Sequence, residues 1–161
     1  MIKRLLALAL IATPALASAQ TSVTATASVA ATSTLAVDKN IDFGAVTPGS
    51  LLTLAPNAAG AGQVTVSYNT TTATVTVPAS VLLTNTTYGT ATMTANLSCN
   101  TDGSATAGAC GAQAFNYNGS NAALATGSVY IGGNIPAANS AGARVGTYNG
   151  SISVTVANSG V

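Results

Sequence analysis

TSVTATASVAATSTLAV, residues 21–37, alternates apolar with small polar side chains along its whole length. Most of its odd positions are Val, Ala or Leu, and this period of two predicts a β-strand that buries one face. The run is about three times longer than an ordinary strand of roughly five to six residues. It contains no Gly, Pro, Asn or Asp with which to fold back as a hairpin. We therefore expect its first half to leave the domain and pair with a neighbouring molecule.

The residues before this stretch have the layout of a secretory signal peptide. Lys3 and Arg4 form a short positive end, residues 5–12 form an apolar run too short to span a bilayer, and Ala17-Ser18-Ala19 fits a cleavage site. We predict a signal peptide at 1–19, an N-terminal extension that acts as a donor strand at 20–32, and a β-sandwich domain at 33–161. The mature chain is expected to be secreted, without insertion into the membrane.

Composition favours an all-β protein. Only 4% of the 161 residues are charged and His and Glu do not occur, whereas Thr, Ser, Ala, Val, Gly and Asn are abundant. These residues favour strands and turns over helices. The chain also lacks a basic stripe, so we do not expect it to bind nucleic acid.

Shorter apolar alternations recur along the rest of the chain, separated by segments rich in Gly, Asn, Ser and Pro. Strands at about ten-residue spacing with turns between them predict an antiparallel β-sandwich or a barrel, and the uneven strands and long loops favour the sandwich. The side chains expected to point inward are Val64, Val66 and Tyr68, then Val75 and Val77, then Met93, Leu97 and Cys99, then Phe115 and Tyr117, then Val129 and Ile131, and finally Ile152, Val154 and Val156.

The two cysteines are predicted to form a disulfide. Cys99 and Cys110 flank the turn residues Asp102-Gly103 and Gly108, and pairing is the usual state in an exported protein. On the chain-entropy model, closing a loop of this size stabilises the fold by roughly 3 kcal/mol. Two thiols without His or Glu nearby make a poor metal site.

The sequence offers little for catalysis. Three Asp residues and no His leave no general base at neutral pH, so we expect neither an enzyme nor a cofactor. The segment DKNID, residues 38–42, begins like a calcium loop, but Phe43 stands where that loop needs Gly and Gly49 where it needs Glu. Two interpretations of Asp38 and Asp42 stay open: calcium binding assisted by carbonyl groups, or capping of a strand edge.

Two further segments carry a family resemblance. IDFGAVTPGS, residues 41–50, resembles the hydrophobic-x-Phe-Gly-x-x-x-Pro segment of small secreted bacterial pilin-like domains. GTYNGSISVTV, residues 146–156, is similar to their Gly-x-Tyr-x-Gly/Asp terminal strand. These domains include the spore coat protein U group of archaic chaperone/usher pilins, and the two segments cover about an eighth of the chain.

The resemblance implies an immunoglobulin-like sandwich, export through the periplasm, and assembly by a donor strand that precedes the domain. It implies that a second copy of the chain is the main partner, with a periplasmic chaperone and an outer-membrane usher assisting assembly. The donor side chains would be Val23, Ala25, Ala27 and Val29, and the groove or core residues would be Phe43 and Tyr148, with Ile152, Val154 and Val156 on the terminal strand.

Two functions follow from these expectations. The first is a structural subunit of an extracellular, pilin-like surface filament, which assembles through its N-terminal segment. The second is a soluble secreted binding or adhesion module, in which the N-terminal strand pairs within its own sheet. Sizing of the purified mature protein separates the two, since a monomer that gains no stability from an added peptide of residues 21–31 favours the module.

Overall fold

A computed structural model describes residues 26–116 and 124–159. Within these residues the protein is all-β apart from one short helix, and its antiparallel sheets form a sandwich-like arrangement, as the composition and spacing predict. The elements are β1 (Ser33–Lys39), β2 (Leu52–Leu54), β3 (Gly62–Tyr68), β4 (Thr72–Thr76), β5 (Ser80–Asn85), β6 (Thr92–Asn100), β7 (Gly108–Ala109), β8 (Ala112–Asn116), β9 (Ala125–Ile135), α1 (Ala137–Ser140), β10 (Tyr148–Asn149) and β11 (Thr155–Ser159).

The larger sheet has the strand order β1-β3-β9-β6-β5-β10, and the short strands β2 and β7 pair with β9 and β6. The smaller sheet has the order β11-β4-β8. Every paired strand is antiparallel, which allows short turns between neighbours. The inner face of the larger sheet is therefore wider than the three strands of the smaller sheet.

The core lies where the inner faces of the two sheets meet. The predicted alternations in β3, β4, β6 and β9 supply it, because every second side chain of each strand points to the same face. Val66 and Val129 of the larger sheet and Ala73 and Val75 of the smaller sheet are fully buried in one cluster. Small β-branched side chains can thus form a continuous core, although the chain has few aromatic residues.

The long N-terminal alternation is a strand only in its second half. β1 begins at Ser33, which pairs with Tyr68, the last residue of β3. Residues 26–32 run past the end of that partner and are not in a strand, since a strand needs a neighbour to bond its backbone. Among the predicted donor residues, Ala27 and Val29 are exposed, and Val23 and Ala25 lie outside the described residues.

The terminal strand is shorter than its alternation predicts. β11 starts only at Thr155, so Ile152 and Val154 lie in the segment before it, which is not part of a strand. Two other features differ from expectation. The segment Ser80–Asn85 forms β5 although its apolar residues do not alternate, and β9 continues to Ile135 through a Gly-Gly-Asn sequence that is typical of a turn.

The predicted disulfide is present between Cys99 and Cys110. It connects the end of β6 to the residue after β7, and both cysteines are buried in the core cluster. Such a bond indicates folding in an oxidising environment. No helix in the described part of the chain is long and apolar enough to cross a membrane.

Candidate functional site: an open apolar groove

A groove of about 740 Å³ opens on the inner face of the larger sheet. Its floor is made by side chains of β5, β6 and β9, namely Val81, Leu83, Met93 and Ile135. No residue of β4, β8 or β11 lines it. This part of the sheet face is therefore not covered by the smaller sheet, although a sandwich is stabilised by covering the inner faces of both sheets.

The first wall of the groove is the segment 41–48, which follows β1. Ile41 and Phe43 are half-buried against the core, on the same side of the extended chain. The backbone nitrogen of Asp42 donates to the carbonyl of Gly60 at 2.7 Å, which fixes the start of the wall. The side chain of Asp42 then accepts a hydrogen bond from the backbone nitrogen of Gly44 at 2.8 Å.

A tight turn ends this wall. The backbone nitrogen of Ser50 donates to the carbonyl of Thr47 at 3.1 Å, and Gly49 has a φ of +75°. Pro at the second turn position and Gly with positive φ at the third are typical of a type II turn. The Pro-Gly pair of the IDFGAVTPGS segment thus turns the chain away from the groove toward β2.

The second wall is the segment 143–152, which includes β10. The Tyr148 hydroxyl accepts a hydrogen bond from the backbone nitrogen of Arg144 at 2.8 Å and donates one to the Arg144 carbonyl at 3.0 Å. The Arg144 guanidinium lies 5.3 Å from the centre of the Tyr88 ring, within the range of a cation–π contact. Tyr148 therefore closes the loop that forms this wall.

Asn85, at the end of β5, supports the second wall from below. It is buried, and its amide oxygen accepts bonds from the backbone nitrogens of Thr87 and Tyr88, both at 2.9 Å. Its amide nitrogen donates to the Val145 carbonyl at 3.4 Å. Gly146 lies directly against this amide, since a Cβ atom there would be only 2.7 Å from the Asn85 nitrogen.

Ser140, at the end of α1, links the two walls. Its buried hydroxyl accepts a bond from the backbone nitrogen of Gly49 at 3.2 Å, next to the first wall. Its carbonyl accepts a bond from the backbone nitrogen of Ala143 at 2.9 Å, where the second wall begins. The short helix thus holds the ends of both walls in a fixed relation.

The groove presents backbone groups as well as apolar side chains. Residues 43–46 and 151–153 have no backbone hydrogen bond to a described residue of another strand. Apart from the Gly44 N–H, which bonds the Asp42 carboxylate, their N–H and C=O groups offer a template on which a further strand can pair. Asp42 and Arg144 are the charged residues of the lining.

The predicted site residues divide between the groove and the core. Phe43, Tyr148 and Ile152 line the groove. Val154 and Val156 pack against the core cluster beyond it. The two segments that carry the family resemblance form the opposite walls of one groove, although they lie about a hundred residues apart in sequence.

Several residues of the groove were not singled out from the sequence. The floor residues of β5, Val81 and Leu83, lie in a continuous apolar run that carries no clear strand period. Asn85 and Ser140 belong to segments whose composition indicates only turns. Gly146 is the exception, because the motif Gly-x-Tyr names it, and its role is explained by its contact with Asn85.

The acidic residues Asp38 and Asp42 form separate contacts. Asp38 accepts a hydrogen bond from the Thr65 hydroxyl at 2.6 Å, whereas Asp42 caps the backbone of Gly44. Residues 26–116 and 124–159 contain no group of three or more His, Cys, Asp or Glu side chains placed to hold a metal ion. Both carboxylates thus have protein partners, which lie on β3 for Asp38 and at the start of the first wall for Asp42.

No protein-family model matches the chain, and no curated protein matches it either. The two features of the molecule that bear on its function are the groove and the segment that precedes β1. Both features follow from backbone geometry and side-chain polarity alone.

Proposed function

We propose that this protein is a structural subunit of an extracellular, pilin-like surface filament. Subunits would join by donor-strand addition, with residues 21–31 of one subunit lying in the groove of the next. The observation that carries this proposal is the coexistence of an uncovered apolar groove and an N-terminal arm, residues 26–32, that is exposed and not in a strand. The arm of one subunit would supply the strand that the groove of the next subunit lacks.

The groove is suited to a β-strand rather than to a compact ligand. Residues 43–46 and 151–153 of its walls have no backbone hydrogen bond to a described residue of another strand, and its floor is a row of apolar side chains. In strand addition, backbone hydrogen bonds supply affinity while alternate side chains fill pockets on the acceptor. Ala27 and Val29 lie on one face of the arm and would point to the floor.

The arm leaves its own domain at the end of β1 that is remote from the groove. β1 starts at Ser33, whereas the first wall starts at Ile41, on the other side of β1. At about 3.3 Å per residue these two points are roughly 26 Å apart along the strand. The arm would have to reverse direction to reach its own groove, and residues 21–37 contain no turn-forming residue. A groove in a neighbouring molecule is reached without a reversal.

Charge supports the same pairing. Residues 20–37 carry no charged side chain, and the groove holds few charges. Burying an uncharged, alternating segment avoids the desolvation cost of an unpaired charge. Because the arm and the groove are different surfaces, each contact leaves one free arm and one free groove, so assembly continues as a filament.

The proposed route to the surface follows from the signal peptide and the disulfide. Residues 1–19 would direct export and be removed, and the Cys99–Cys110 bond would form in the oxidising periplasm. An open apolar groove makes the subunit prone to aggregate before it polymerises. A periplasmic chaperone that covers the groove and an outer-membrane usher are the partners that would manage this stage.

The test is to express the mature chain with and without residues 21–31 and to look for filaments by electron microscopy. We expect filaments from the complete chain and monomers from the shortened chain. Filaments of normal appearance from the shortened chain would contradict the proposal. A complete chain that stays monomeric and gains no thermal stability from an added peptide of residues 21–31 would instead support the soluble binding module.

A further inference from the structure

Asn69 holds the base of the arm with three hydrogen bonds. Its side-chain oxygen accepts a bond from the backbone nitrogen of Thr32 at 2.6 Å, and its side-chain nitrogen donates to the carbonyl of Ala30 at 2.9 Å. Its own backbone nitrogen donates to the carbonyl of Thr32 at 3.2 Å. One residue thus contacts the arm at two successive points on the same side of the chain.

The position of Asn69 gives these bonds a directional effect. Asn69 follows Tyr68, where β3 ends opposite Ser33, the first residue of β1. The side chain continues the hydrogen-bond ladder past the end of the sheet and takes the place of the next residue of a longer β3. Bonds at a single point would let the arm rotate about that point. Bonds to both Ala30 and Thr32 fix the direction of the arm relative to the domain.

We infer that Asn69 is a positioning residue that sets the direction in which the arm leaves the domain. Asparagine suits this role because its amide carries a donor and an acceptor at one end of a short side chain. If the arm enters a neighbouring groove, the same bonds set the angle between successive subunits. That second statement rests on the proposed function, but the first concerns the isolated subunit alone.

The subunit test compares N69A and N69D with the natural protein by amide hydrogen exchange. The N69A variant removes both side-chain bonds, so we expect exchange at the Thr32 amide to become about tenfold faster or more. The N69D variant keeps the acceptor for Thr32 and loses the donor to Ala30. Its Thr32 amide should therefore stay protected. N96A is the matched control, because Asn96 bonds Asn134 on the larger sheet, away from the arm.

A distance measurement tests direction rather than protection. One spin label is placed at Ala27 in the arm and one at Thr92, an exposed residue of β6. The distance between the two labels should have a single narrow distribution in the natural subunit and a broad one in N69A. An unchanged distribution in N69A, or unchanged Thr32 exchange, would overturn the inference. Urea unfolding of each variant checks that the domain itself is intact.

Filaments give the last readout. N69A should bind a peptide of residues 21–31 as tightly as the natural subunit, since Asn69 does not line the groove. Its filaments should nevertheless show a wider spread of subunit rotation in cryo-electron micrographs, and an identical spread would contradict the role in filament geometry. If the natural protein neither forms filaments nor binds the peptide, the proposed function fails, whereas exchange at Thr32 still decides the role of Asn69.

Discussion

The Tyr148 hydroxyl and the Arg144 backbone are joined twice, by a bond accepted from the nitrogen at 2.8 Å and a bond donated to the carbonyl at 3.0 Å. A single side chain thereby closes the turn that forms the second wall of the groove. The Tyr148 hydroxyl can serve both bonds because it is a donor and an acceptor at once. The tyrosine of the GTYNG segment thus has a structural role, which is to hold the Arg144 end of this turn.

Replacing Tyr148 with Phe should loosen this wall without emptying the space that the ring fills. We expect a loss of about 1 to 2 kcal/mol in the free energy of unfolding, because two hydrogen bonds disappear. Affinity for a peptide of residues 21–31 should fall as well. Urea unfolding and calorimetric titration measure the two effects. Y130F is the control, since Tyr130 lies outside the groove, and equal behaviour of the two variants would contradict the assignment.

Replacing Gly146 with Ala should lower the stability of the protein, although the change adds only one methyl group. Gly146 has a φ of +139°, which L-amino acids rarely adopt, and a Cβ atom would press on the Asn85 amide. A cost of about 1 to 3 kcal/mol is expected from the backbone strain. G142A is a close control, because a Cβ atom at Gly142 meets nothing within 4 Å. Thermal unfolding compares the two, and a G146A protein as stable as G142A would refute this account of the wall.

The proposed donor face can be tested by placing one charge on either side of the arm. Val29 belongs to the face that would enter the groove, whereas Ser28 points the opposite way. V29D should abolish filaments, because a buried carboxylate without a partner is strongly unfavourable, whereas S28D should still form them. Electron microscopy gives the readout. Loss of filaments in both variants, or in neither, would contradict the predicted phase of the strand.

Alkaline pH should destabilise the domain through Tyr68. Burial raises the pKa of the Tyr68 phenol above its ordinary value of 10.0. The unfolded chain therefore releases this proton at lower pH than the folded protein, so stability is complete below about pH 10 and falls as pH rises through the folded pKa. Urea unfolding at pH values from 9 to 12, in steps of roughly half a pH unit, measures the loss in the free energy of unfolding. A natural protein with the same alkaline slope as Y68F would show that Tyr68 is not responsible.

Much of the core could be predicted because its strands alternate cleanly. Val64, Val66 and Tyr68 in β3, like Met93 and Leu97 in β6, are buried at every second position. Period two reports the face of a strand directly, without knowledge of its partner. The all-β class and the disulfide follow from equally local signals.

Other elements could not be predicted, because tertiary contacts determine them. β5 contains the run Val81-Leu82-Leu83, in which Leu82 is 57% exposed, so polarity does not reveal the strand. Within β9, a Cβ atom at Gly132 would clash with the Leu54 carbonyl oxygen. The glycine there serves the close approach of another backbone, whereas the Gly-Gly-Asn sequence by itself is typical of a turn.

The groove is the part that sequence alone could not provide. Its walls were recognisable as two motifs, but nothing in either motif shows that it faces the other. The floor adds residues of three further strands, and Ser140 links the walls through a helix of only four residues. Only the fold brings these segments together, and only the fold shows that the arm leaves at the remote end of β1.

The most direct test of strand addition is amide hydrogen exchange on the subunit that lacks residues 21–31, with and without a peptide of those residues. The account predicts that the peptide slows exchange at residues 43–46 and 151–153, whose backbone groups lack a partner strand among the described residues. A peptide with V29D serves as the control and should leave these amides unprotected. Protection confined to another edge, such as β8, or no protection at all, would contradict the central claim that the groove receives this strand.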